Sequence, residues 1–190
     1  FKTLSDYGPD ATRWYMISNS NPWDNLKFDI NGVDEVKRKF FGTLYNTYSF
    51  FALYANIDNF NYKENEIKFE EKPELDRWII SELNTLISKV EKFYEDYEPT
   101  KAAREISNFV IDNLSNWYVR LSRRRFWKGE YELDKISAYQ TLFTVLADIC
   151  KISAPISPFF MDKMFQDLTR NVDGKFSESV HLESFPVSDA

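Results

Sequence analysis

The chain has 190 residues, 43% hydrophobic and 28% charged with only 5 glycines, a balance that excludes a disordered tail and fits a soluble, helix-rich domain able to bury a core of its own. A net charge of -6 excludes nucleic-acid binding through overall basicity, so any such function needs a local patch. The single cysteine excludes an internal disulfide, and no apolar run nears the roughly 20 residues of a membrane helix.

The opening Phe1-Lys2-Thr3-Leu4 carries no initiator Met, which reads as the middle of a longer polypeptide. Gly8-Pro9-Asp10 then leads into a short helix from Ala11 to Ile17, with Pro where a first turn tolerates it. Asn19-Ser20-Asn21-Pro22 breaks that helix, and Asn25-Leu26-Lys27-Phe28-Asp29 alternates like a brief extended connector. Residues 33 to about 57 predict the first long helix, with Phe41, Leu44, Tyr48, Phe51 and Ala55 on one face. Residues 58–73 are polar and acidic and read as a connection. Glu74 opens a second long helix whose seam is Ile79, Leu83, Leu86, Val90, Phe93 and Tyr97.

Pro99 ends that helix and starts the next, which runs to about Trp127 with Ile106, Val110, Leu114, Trp117 and Leu121 as its apolar stripe. Trp117 is thus expected in the core, and Gly129 is expected to end the helix. Asp134 is placed to cap a further helix carrying Ile136, Tyr139, Phe143, Leu146 and Cys150 on one face. Ala154-Pro155-Ile156-Ser157-Pro158 turns the chain into a last helix through Leu168. Four or five helices with short loops predict an all-α antiparallel bundle.

Chemistry-bearing motifs are scarce. His181 has no second His or Cys beside it, which argues against a zinc site or a nucleophile-His pair. Glu70-Glu71 and Glu95-Asp96 lie in polar segments that read as solvated surface. No glycine-rich phosphate loop occurs. The exception is Ser115 to Lys128, which holds five cations and no acid. Arginines set between aromatics are what phosphate neutralisation with base stacking requires. At about 100° per residue, Asn116, Arg120, Arg123 and Trp127 share one narrow arc, whereas Arg124 and Arg125 border the apolar stripe. The alternative is that these arginines lie along the bundle surface and pair with Glu130, Glu132 and Asp134.

Leu114-Ser115-Asn116-Trp117-Tyr118-Val119-Arg120, followed by Arg123-Arg124-Arg125, resembles the long-helix signature of the anticodon-binding bundle in isoleucyl-tRNA synthetases. Tyr7-Gly8-Pro9-Asp10-Ala11-Thr12-Arg13 is similar to a segment of the class I enzymes for Ile, Val and Leu. Tyr54-Ala55-Asn56-Ile57-Asp58, Leu75-Asp76-Arg77-Trp78-Ile79, Ala154-Pro155-Ile156-Ser157-Pro158-Phe159 and Ser179-Val180-His181-Leu182 continue the isoleucyl pattern in one order, from about Phe1 to Pro186. Neither H-I-G-H nor K-M-S-K-S is present, so no catalytic residue or metal ligand carries over.

The resemblance implies a fragment of a cytoplasmic, ATP- and Mg-dependent isoleucine-tRNA ligase, with no cofactor of its own. Its partners would be tRNA(Ile) and the catalytic and editing domains of the same parent, in a monomeric protein without membrane contact. It also implies a stem-contact segment at 1–30, the anticodon-binding bundle at 31–175 and an exit linker at 176–190. The expected tRNA contacts are Asn116, Arg120, Arg123, Arg124, Arg125, Trp127 and Lys128. Two alternatives stand beside this: a valyl- or leucyl-type anticodon domain, and a helical scaffold whose aromatic faces bind another protein.

Overall fold

Three prolines set the frame, because Pro has no N–H to lose in a first helical turn: Pro9, Pro99 and Pro158 each begin a helix. The computed structural model describes residues 2–128, 130–172 and 176–188. Among these, α1 (Lys2–Tyr7) and α2 (Pro9–Asn19) form the N-terminal pair, so the helix expected from Ala11 starts earlier and ends later. Residues 25–29 form no helix and pair with no strand among the described residues, Asp29 being extended. The next helix, α3, joins Ile30–Val36, a π-helical turn at Lys37–Phe41, and Gly42–Asp58 without a break. Helix α4 spans Glu74–Glu95. Helix α5 joins Pro99–Asn108, a π-helical run Phe109–Val119, and Arg120–Trp127. Helices α6 (Leu133–Ser153) and α7 (Pro158–Thr169) complete the series. The expected stop at Gly129 lies outside the described residues.

Helix α6 is the axis. It packs against α3, α4, the end of α5, and α7, and is therefore buried on nearly every side. An interior helix cannot be amphipathic, so its polar residues need partners. Ser137 donates to Asp76 at 2.6 Å, and Lys135 and Tyr139 both reach Asp58, at 2.9 and 2.5 Å. Gln140 accepts from the Ile67 amide and donates to the Asn65 carbonyl, each at 3.0 Å, and Thr141 accepts from Lys72 at 3.3 Å. The acidic connection 58–73 is consequently a strap tied along α6, with Tyr131 holding Glu64 as a further tie.

Asp134, expected as a cap, lies inside the first turn of α6 and pairs with Arg125 instead. Tyr97, expected on the seam of α4, follows the helix end at φ 58° and is 85% exposed. There Glu98 N donates to the Phe93 carbonyl and Tyr97 N to the Tyr94 carbonyl, the paired bonds of a Schellman ending. Ile79, Leu83, Leu86 and Val90 of that seam are buried as expected, as are Phe41, Leu44, Phe51 and Ala55 of α3 and Cys150 of α6.

The N-terminal pair is joined to this bundle. Trp14 of α2 is buried against Phe40 and Phe41 of α3, its indole donating to Ser107 of α5 at 3.1 Å. Asp10 of α2 pairs with Arg13 at 2.8 Å and accepts from the Phe160 amide of α7 at 2.6 Å. At the C-terminal side Val180 is buried and Phe176 and Phe185 pack on the core, while His181 sits near the Pro158 carbonyl. No helix of the described residues is long and apolar enough to cross a membrane.

Candidate nucleic-acid interface

The basic segment occupies the end of α5, and its inward register differs from the one that a uniform 100° step predicts. Ile106, Val110, Leu114, Tyr118, Ser122 and Phe126 are all buried, a strict spacing of four. Four residues overshoot a turn of α-helix and fall short of a π-helical turn, whose bonds close over five residues. The π run Phe109–Val119 holds back the rotation, so Tyr118 takes the inward place expected for Trp117. Trp117 and Leu121 accordingly stand out, 57% and 54% exposed.

Tyr118 and Arg125 converge on one buried acid. Asp76, fully buried at the head of α4, accepts from Tyr118 Oη at 2.8 Å, from Ser137 Oγ at 2.6 Å, and from both arms of Arg125 at 2.6 and 2.8 Å. Arg125 also donates through Nε to Asp134 at 3.0 Å and through Nη2 to the Asp134 carbonyl at 2.8 Å. Burial works against the guanidinium charge, but the hydrogen bonds and charge of Asp76 outweigh it and raise the Arg125 pKa above its ordinary value. Burial first, and then the charge of Asp76, pushes the Tyr118 phenol well above its usual range, so that it stays a donor. Bidentate pairing of this kind fixes geometry as well as charge.

Of the seven expected tRNA-facing residues, six point outward: Asn116, Arg120, Arg123, Arg124, Trp127 and Lys128 are exposed. Arg125 alone is drawn inside, with its side chain 15% exposed. The surface pairing with acids that the sequence also allowed is met by Arg125 with Asp134 only; among the described residues Arg120, Arg123, Arg124 and Lys128 have no ion-pair partner. Four free cations on a helix end with no acid of its own make a local positive field in an acidic chain. Sequence reasoning missed Trp117 and Leu121 as surface residues and Asp76 as the anchor of the helix. Asp76 could have been flagged as the lone acid among the inward positions of its helix's first turns.

No group of three or more His, Cys, Asp or Glu side chains among the described residues is arranged to hold a metal. The carboxylate pairs Glu70-Glu71 and Glu95-Asp96 are exposed.

Comparison with known proteins gives a consistent result. The sequence profile of the anticodon-binding domain of tRNA ligase matches residues 76–190. Isoleucine–tRNA ligase of Bacteroides thetaiotaomicron is 62% identical over 98% of this chain and 16% of its own length. That of Porphyromonas gingivalis is 63% identical over 100% of the chain and 16% of its length. That of Clostridium novyi is 47% identical over 100% of the chain and 18% of its length. The chain thus spans about a sixth of the curated relatives it matches.

Proposed function

We propose, since the chain belongs to the family of anticodon-binding domains of tRNA ligases, that it holds the anticodon stem-loop of an isoleucine tRNA for a longer isoleucine-tRNA ligase. The observation that carries the reading is the free basic face at the end of α5, where Arg120, Arg123, Arg124 and Lys128 are exposed and have no ion-pair partner among the described residues. Guanidinium forks match phosphate oxygens bidentately and fix the register of an RNA without reading its sequence, and Asn116 and Trp127 lie beside them to meet unstacked bases. Arg125 serves this face indirectly, through Asp76, by locking the last turn of α5 to α4 and α6.

The chemistry of the parent, activation of isoleucine with ATP and Mg, belongs to residues outside this chain. In this reading residues 1–30 form the stem-contact link to the catalytic domain, 31–175 the bundle and 176–190 the exit toward further parts of the parent, in a monomeric cytoplasmic enzyme. Binding of the chain to an isoleucine tRNA across a salt series tests the proposal: affinity falls linearly in log salt, whereas affinity indifferent to salt overturns it.

A further inference from the structure

Trp117 is the part of the basic face that core packing leaves unexplained. A large indole more than half exposed on a bundle helix is unusual where an inward site one residue away is taken by Tyr118. Trp117, Arg120, Leu121 and Arg124 recur at i, i+3, i+4 and i+7 and therefore share one face. The Trp117 ring lies 6.4 Å from that of Trp78 on α4, tilted at 59°, so Trp78 backs an indole that is still more than half exposed. Glu82, one turn away on α4, is occupied by Asn113 Nδ2 at 3.1 Å. Trp117 and Leu121 are thus exposed apolar residues one turn apart, on a helix face shared with Arg120 and Arg124, which have no ion-pair partner among the described residues.

We infer that Trp117 is a stacking platform for an unpaired nucleobase of bound RNA, with Arg120 and Arg124 on the flanking phosphates. The inference rests on the RNA-binding reading above and deepens it by adding a base-contacting residue to that face. Every base offers a π-face to an indole, and the guanidinium groups one and two turns further along the same face match the phosphates of the nucleotides that follow it. The five cations and absence of any acid over residues 115–128 of an acidic chain favour a polyanion over a protein partner on this face.

The test compares two probes on the chain: an RNA hairpin carrying the anticodon stem and loop of an isoleucine tRNA, with 2-aminopurine placed through the loop, and a fully paired duplex of the stem. Trp117→Ala should weaken hairpin binding about tenfold, the scale of one base stack removed, while Trp117→Phe keeps most of it. Duplex affinity and the salt slope should stay unchanged, and fluorescence quenching at one loop position should disappear. Unchanged hairpin affinity in Trp117→Ala, beside clear weakening in the Arg120→Ala/Arg124→Ala double variant, overturns the platform and leaves the RNA reading standing. An equal fall in hairpin and duplex affinity also overturns it. Absence of hairpin binding, or indifference to both the Trp and the double Arg variants, overturns the platform together with the RNA reading.

Discussion

Arg125, in the last turn of α5, grips the fully buried carboxylate of Asp76 with both arms, at 2.6 and 2.8 Å. Removing Arg125 strands the Asp76 carboxylate in a dry interior, where an uncompensated charge costs about 3–5 kcal/mol, whereas removing Asp76 leaves Arg125 its bonds to Asp134. Arg125→Met should therefore lower stability by an amount on that scale, although Tyr118 and Ser137 still donate to the Asp76 carboxylate. The Asp76→Leu/Arg125→Met double variant should recover part of the loss, because no charge is left stranded even though the Tyr118 and Ser137 hydroxyls lose their acceptor. Urea midpoints at constant slope measure both. A double variant as unstable as the single one would show that the pair itself, and not the stranded charge, holds the fold.

Arg120 and Arg123 share the exposed arc and differ from Arg125 in having no ion-pair partner among the described residues. Replacing either with Ala should leave thermal stability near that of the unsubstituted chain and weaken tRNA affinity. The slope of log affinity against log salt should fall by roughly 0.7–0.9 for each phosphate that is no longer neutralised. Filter binding across a salt series reads both effects; an unchanged slope in both variants removes these residues from the interface.

Gly32 lets α3 lie directly against Tyr15 of α2: a Cβ there would stand 2.3 Å from the Tyr15 ring. That ring cannot swing away cheaply, because the Tyr15 hydroxyl donates to the Lys27 carbonyl at 3.2 Å and accepts from the Asp29 amide at 3.0 Å. Gly32→Ala should destabilise by about 1–3 kcal/mol, the usual range for overpacking, despite the better helix propensity of Ala. A thermal midpoint equal to or above that of the unsubstituted chain would show that the two helices can part without loss.

Asp58 and Asp148 should respond oppositely to acid. Burial raises the Asp58 carboxyl, but its hydrogen bonds from Tyr139 and Lys135 outweigh that and leave its pKa lowered. Its stabilisation is thus present above the ordinary carboxylate value of about 4 and is lost as pH falls through the folded pKa. For Asp148, burial dominates over Lys151 and raises the pKa, so ionisation near neutral pH disfavours the fold. Asp58→Asn should be destabilising at pH 7 with the gap closing in acid, and Asp148→Asn neutral or stabilising at pH 7. Denaturation midpoints from pH 7 down to about 3 give the comparison; a gap for Asp58→Asn that widens on acidification contradicts the sign.

The order and extent of the helices were legible wherever a local rule decides them. Pro99 and Pro158 start helices because a first turn needs no N–H from them, and the spacing of Ile79, Leu83, Leu86 and Val90 places one face inside whatever the neighbour. The same reading failed at Tyr97, where the helix had already closed, and at Asp134, whose carboxylate went to a charge on the preceding helix. It held for residues 58–73 as a connection but left open that they are a strap, because a strap and a slack loop have the same polar composition and only the polar side chains of α6 give those groups partners.

By itself, then, the sequence determined an all-α chain with a concentrated run of cations near the end of its third long helix. Tertiary structure decided which of those residues face solvent. A wide π-helical run changes the rotation that an α-helical wheel accumulates, and it exchanged Trp117 for Tyr118 at the core. A single buried acid on another helix then separated Arg125 from its neighbour Arg124, drawing one guanidinium inward and leaving the other free. Spacing along one helix carries no information about a carboxylate 49 residues away, so this division appears only when α4 and α5 are packed together.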